Sequence, residues 1–179
     1  MRGEAGGSNE WLTVRLATAI VVLVCVVMFA IRLTGPTNLT DNDQERPGAY
    51  VMDVVENGQW LVQRDNSLDV MSKPPVYTWM SAFASLGVGE VNLWTLYLPC
   101  FISTLSLCLV ILFLGKHYFG LMAGFLGALT LVLSPYGMKQ IALARTDSVF
   151  ALTVVLVMLA AWWAWNYGRS WIPFWLLAP

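Results

Sequence analysis

The chain of 179 residues is 58% hydrophobic, with nine Trp, a mean hydropathy of +0.64 and a formal net charge of −1. That apolar share exceeds the roughly 45–50% of soluble domains and marks an integral membrane protein. A near-neutral charge without a basic cluster excludes a nucleic-acid partner. Cys25, Cys100 and Cys108 all fall in apolar runs, which excludes a disulfide framework or a thiolate metal set.

Residues 1–10 are a short polar lead, expected on the cytoplasmic side. It has no basic n-region, and the apolar run after it is too long for a cleaved signal. Crossing a hydrocarbon core of about 30 Å takes about 20 apolar residues. Trp11–Leu33 meets that length, with Arg15 and Arg32 near its ends, where they can snorkel to water.

Residues 34–92 form a polar island in this oily chain. It holds Asp41, Asp43, Glu45, Asp53, Glu56, Asp65, Asp69 and Glu90, eight of the eleven acids. Within it, Tyr50, Val51, Val54 and Val55 recur at helical spacing up to Gly58, which predicts a short amphipathic helix able to lie on a bilayer. Pro75 opens a second predicted helix, Val76–Leu86, with Tyr77, Trp79, Met80 and Phe83 as its oily face and Gly87 and Gly89 at its end.

Further spans are expected over Leu93–Leu114, Gly120 to about Pro135, and Val149 to about Trp165. Trp171–Pro179 starts a fifth, so the chain is expected to be the amino-terminal segment of a longer protein. The fold class expected is all-α, a polytopic membrane helix bundle with interfacial helices in its first extracytoplasmic loop. Trp11, Trp94, Trp162, Trp163, Trp165 and Trp171 near span ends form an aromatic belt. Gly120, Gly124 and Gly127 let a neighbouring helix approach closely. Lysine and arginine counts on the two sides do not settle the orientation.

Three polar groups carry chemistry. Asp41 and Asp43 suit a general base, or a divalent metal held through oxygen, against the reading of a solvated acidic turn. Lys73, held extended before Pro74 and Pro75, suits a phosphate, against a lysine snorkelling at the surface. Arg145 and Asp147 at the entrance of a span suit a functional pair, against a charged helix start favoured by the helix dipole. His117 is the only histidine, and it reads as a surface residue.

The order of these elements resembles a known pattern. It runs Asp43, Tyr50, Gly58-Gln59-Trp60, Ser72-Lys73-Pro74-Pro75-Val76-Tyr77-Thr78-Trp79, Leu96-Tyr97-Leu98-Pro99 and Arg145-Thr146-Asp147. It is similar to the amino-terminal part of the GT-C membrane glycosyltransferases, closest to the aminoarabinose (lipid A) transferases and the protein mannosyltransferase-like family. The resemblance implies an inverting enzyme of the plasma membrane. It would move a sugar from a polyprenyl-phosphate donor to a lipid or protein acceptor on the extracytoplasmic face.

By that resemblance Asp43 and Asp147 are the catalytic acids. Lys73 holds the carrier phosphate, Arg145 adds a second cation, and Tyr77 and Asp41 contribute to substrate binding. Ser72 stands where these enzymes often place a Glu that joins a zinc site, so no zinc ligand is expected there and a divalent metal stays open. The alternatives are a transporter or channel subunit with Asp147 and Lys73 in an ion path, and a non-catalytic assembly subunit of the same fold.

Overall fold

The computed structural model describes residues 7–36 and 42–167. Seven helices follow one another: α1 Gly7–Thr34, α2 Asn42–Asn57, α3 Val76–Val88, α4 Leu93–Phe119, α5 Leu121–Leu133, α6 Pro135–Gln140 and α7 Asp147–Tyr167. No strand occurs among the described residues, only an isolated antiparallel bridge between Arg64 and Val70. The molecule is a membrane helix bundle. Three helices, over Thr13–Thr34, Leu93–Phe119 and Asp147–Asn166, are long and apolar enough to cross a bilayer. The start of the expected fifth span lies outside the described residues.

α4 is the centre of the bundle and touches α1, α3, α5, α6 and α7. Its start is fixed by a capping box: the Asn92 side chain accepts from the Thr95 N–H, and the Thr95 hydroxyl accepts from the Asn92 N–H. The core joins Val21, Cys25 and Phe29 of α1 with Cys108 and Leu112 of α4 and Ala128 and Val132 of α5. Leu16, Leu23, Phe113, Met122 and Met158 are exposed on the outer surface, as suits helices facing lipid rather than water.

The expected third span is α5, with 13 residues. At about 1.5 Å per residue it extends roughly 20 Å. It is short because Ser134 and Pro135 end it and open α6, whereas α4 is longer than expected because it takes up the residues read as a connecting loop. Lys116, His117, Tyr118 and Phe119 contain no helix breaker, so α4 continues to Phe119 and the chain reverses at Gly120. Gly120 has φ 92 and ψ 161, a region essentially confined to glycine that costs other residues about 1–3 kcal/mol.

α5 then runs back along α4 at backbone contact. A Cβ on Gly115 would lie 2.5 Å from the Gly124 Cα, and one on Gly124 would overlap the Leu112 carbonyl oxygen. The small-residue face seen in the sequence is therefore a crossing point, and its partner is α4.

α2 starts eight residues before the predicted Tyr50. It takes in Asn42, Asp43 and Pro47. Polar and acidic residues favour a first turn through the helix dipole, which offsets a proline that a sequence reading treats as a stop. Tyr50, Val51 and Val54 are buried in the protein core. The apolar face predicted for a bilayer surface is used instead to pack α2 on α3. α3 begins after Pro75 and is closed by Gly89, whose N–H donates to the Ser85 carbonyl at 2.8 Å.

Gly124→Leu is expected to separate α4 from α5, lowering stability by about 1–3 kcal/mol or more. Gly87→Ala meets no atom within 4 Å and is expected to be neutral or stabilising by up to about 1 kcal/mol. Thermal unfolding midpoints of the purified variants in one detergent check both.

Candidate functional site

The first two turns of α4 receive two segments of the chain. Tyr77 of α3 is fully buried, and its hydroxyl donates to the Leu96 carbonyl at 2.8 Å. Burial pushes the Tyr77 hydroxyl well above its ordinary pKa, so it remains the donor. Four residues along α4, the Cys100 thiol donates to the Arg145 carbonyl at 3.0 Å. At about 1.5 Å of rise per residue these two anchors are roughly 6 Å apart along the helix axis. Pro99 lies between them and cannot donate to the Thr95 carbonyl, so the helix's own ladder is weakest here.

Both anchored segments carry cations. Tyr77 lies four residues after Lys73, on the helix opened by Pro74 and Pro75. Arg145 is held through its own carbonyl. A second tie joins α3 to α4, the Ser85 hydroxyl donating to the Thr95 hydroxyl at 2.8 Å. The amino end of α4 thus fixes the elements that present Lys73 and Arg145. The end of α1 docks there too, with Phe29 stacked on Phe101 at 4.5 Å and tilted against Trp94 at 5.2 Å. Arg32, in the last turn of α1, is thereby brought to the same end.

The segment between α6 and α7 is irregular yet buried. Ile141, Ala142, Leu143 and Ala144 are fully enclosed, and the Ser148 hydroxyl lies 3.2 Å from both the Gln140 carbonyl and its side-chain oxygen. Non-helical backbone at membrane depth is tolerated when protein surrounds it. The segment delivers Asp147 to the first residue of α7, where the helix dipole favours a carboxylate. Arg145 Nε lies 3.9 Å from Asp147 Oδ2, with the two side chains 21% and 40% exposed.

The polar island folds as α2, a hairpin and α3. Asp53 ties α2 to the hairpin, one oxygen accepting from the Arg64 N–H and the other from Asn57 Nδ2, each at 2.8 Å. Arg46 reaches both sides of the hairpin, with Nε 3.1 Å from Asp65 Oδ2 and Nη2 3.0 Å from Asp69 Oδ2. Tyr50 packs nearby, and burial together with the Asp65 charge raises its hydroxyl pKa against the opposing pull of Arg46. The Trp60 carbonyl accepts from both Gln63 Nε2 at 2.7 Å and Trp79 Nε1 at 2.8 Å, which joins the hairpin root to α3.

Of the residues singled out from the sequence, Arg145 and Asp147 come together. Lys73 is exposed and forms no ion pair with a described residue. Tyr77 is a buried post between α3 and α4 rather than a surface contact for substrate. Asp41 lies outside the described residues, and of Asp43 only the backbone, in α2, is described.

The reading by residue type missed Arg46, Asp65, Asp53 and Cys100. Their signal was weak. The charges pair across up to 23 residues, and the cysteine sits in an apolar run. Among the described residues no group of three or more His, Cys, Asp or Glu is placed to hold a metal.

Two adjoining cavities of ≈ 190 and ≈ 360 Å³ open beside α2 and share Glu45, Ala49 and Asn66. The smaller is walled by Arg46, Asp65 and Ser67, and the larger by Met52, Val91, Leu93 and Leu96. Together they run from a charged wall to an apolar one at the first residues of a span.

Tyr77→Phe removes only the donor to Leu96 and is expected to cost about 1 kcal/mol. Tyr77→Ala also leaves a cavity and is expected to cost about 3–5 kcal/mol. Denaturation of the purified protein distinguishes the two.

A family model described as dolichyl-phosphate-mannose-protein mannosyltransferase matches residues 72–178. The match covers more than half of the chain. It starts one residue before Lys73 and includes Tyr77, Arg145 and Asp147, while Asp41, Asp43 and Arg46 precede it. Neither the curated proteins nor the solved structures give a match.

Proposed function

The chain belongs to the dolichyl-phosphate-mannose-protein mannosyltransferase family of GT-C membrane glycosyltransferases, and from that premise we propose that it moves a sugar from a polyprenyl-phosphate donor to an extracytoplasmic acceptor. The acceptor is a lipid or a protein, and the polar island faces outward from the plasma membrane with the amino terminus in the cytoplasm. The observation that supports this reading best is the pair of anchors on α4. They hold the Lys73 strap and the Arg145–Asp147 segment on neighbouring turns of one helix.

In this reading Lys73 and Arg145 bind the carrier phosphate. When the sugar leaves, the phosphate takes up negative charge, and cations fixed in a site of low dielectric stabilise it. Asp43, in the first turn of α2, accepts a proton from the attacking hydroxyl or amine, with Asp41 beside it in sequence. Attack opposite the leaving phosphate inverts the sugar carbon. Asp147 orients Arg145 and serves as the second acid. Tyr77 acts from behind by holding α3 in place. The apolar cavity at Leu93 and Leu96 gives a lipid-borne substrate an approach along the edge of the bilayer.

Lys73→Ala and Asp43→Asn, made in the complete protein, are each expected to lower sugar transfer by about 100-fold or more, with insertion and folding unchanged. Transfer is followed from a labelled polyprenyl-phosphate sugar into the membrane fraction. Near-normal turnover in Asp43→Asn rules out its role as base.

Orientation is tested separately. Cys25, Cys100 and Cys108 are fully buried, so a new thiol at exposed Ser67 is compared with the unsubstituted complete protein as background. Ser67→Cys is expected to react with a membrane-impermeant maleimide on intact cells. Reaction only after lysis reverses the topology.

A further inference from the structure

Lys73 has no tether of its own among the described residues, so the segments on either side determine where it stands. On one side α3 is pinned through Tyr77. On the other side is the hairpin, whose Met71 N–H donates to the Gln63 carbonyl at 3.0 Å just two residues before Lys73. The hairpin in turn depends on Asp65. Its side chain is 5% exposed, and Oδ1 accepts from the Ser67 N–H at 2.9 Å and the Asp69 N–H at 3.0 Å. Its other oxygen pairs with Arg46 on α2 at 3.1 Å.

Stability alone is a poor reason for this arrangement. The Arg46 side chain is 55% exposed, and ion pairs open to water contribute about 0–1 kcal/mol. Enclosing a carboxylate is costly unless its acceptor sites are filled, and here they are. The same bonds hold Leu68 at φ 66, a left-handed conformation that leucine disfavours. The hairpin is thus kept in one shape against a local cost.

We infer that Asp65 is a positioning residue for Lys73. By closing the hairpin and joining it to α2, it sets the direction in which the strap Ser72–Pro75 leaves. It therefore sets where the ammonium meets a phosphate relative to the acidic end of α2. The inference rests on the proposed role of Lys73, and its test separates the two.

The measurement is equilibrium binding of farnesyl monophosphate to the purified complete protein, for Asp65→Asn, Lys73→Ala and the double variant. Asparagine at 65 keeps the Oδ1 acceptor and loses the charge that faces Arg46. Asp65→Asn alone is expected to weaken binding about tenfold, and to weaken it no further when Lys73 is already alanine, because coupled residues are not additive. Arg46→Gln, which breaks the pair from its exposed side, is expected to follow the same pattern should Asp65→Asn fail to fold. Additive losses, or unchanged binding in both single variants of the pair, overturn the positioning role. Unchanged binding in Lys73→Ala removes the phosphate role of Lys73, and the inference with it.

Discussion

The structure depends on the amino end of α4 acting as a hydrogen-bonded dock. A proline inside a membrane helix leaves a carbonyl without its helical donor, and in lipid such a group costs several kcal/mol unless a neighbour approaches it. On the residues flanking Pro99, Leu96 accepts from a tyrosine of α3, the Thr95 hydroxyl accepts from Ser85, and the Cys100 thiol donates to the backbone before α7. What is a weakness in one helix becomes the place where three parts of the chain are held together.

That dock explains why irregular backbone survives deep in an apolar molecule. The stretch from Ile141 to Thr146 is not helical, yet its apolar side chains are enclosed and its ends are tied by Cys100 and by the Ser148–Gln140 pair. A straight helix from α5 through α7 would meet the backbone requirement at lower cost, but would carry Arg145 and Asp147 to an arbitrary height. Breaking the helix at Ser134 and starting α7 at Asp147 places both charges at a helix start, on a segment tied to α4 through Cys100.

Much of the bundle was legible in the sequence because length and hydrophobicity are local signals. Three of the expected spans, the helix ending near Gly58 and the helix opened by Pro75 follow from them. The turn between α4 and α5 was misplaced because polar residues were read as a loop, whereas the conformation demanded by Gly120 decides the reversal. The start of α2 was missed because Pro47 looked like a stop. The Arg46–Asp65–Asp69 cluster was invisible for a different reason: nothing local shows which of many acids an arginine will meet 19 or 23 residues away. Lys73 and Arg145 stood out because proline and a span entrance are themselves local signals. The tertiary bonds that bring their segments to one helix do not appear in any window of the sequence.

The charges also divide into two kinds. Arg46 is engaged by two carboxylates and Asp53 by a backbone amide and a side-chain amide, so these groups hold the island together. Lys73 is left exposed on a backbone constrained on both sides. A lysine that captures a phosphate loses side-chain freedom worth up to about 2 kcal/mol. If its backbone also had to order on binding, the loss would rise by about 1–2 kcal/mol for each residue involved. Two prolines, an anchored helix and a closed hairpin restrict that backbone beforehand, so a ligand meeting Lys73 would not carry the second loss.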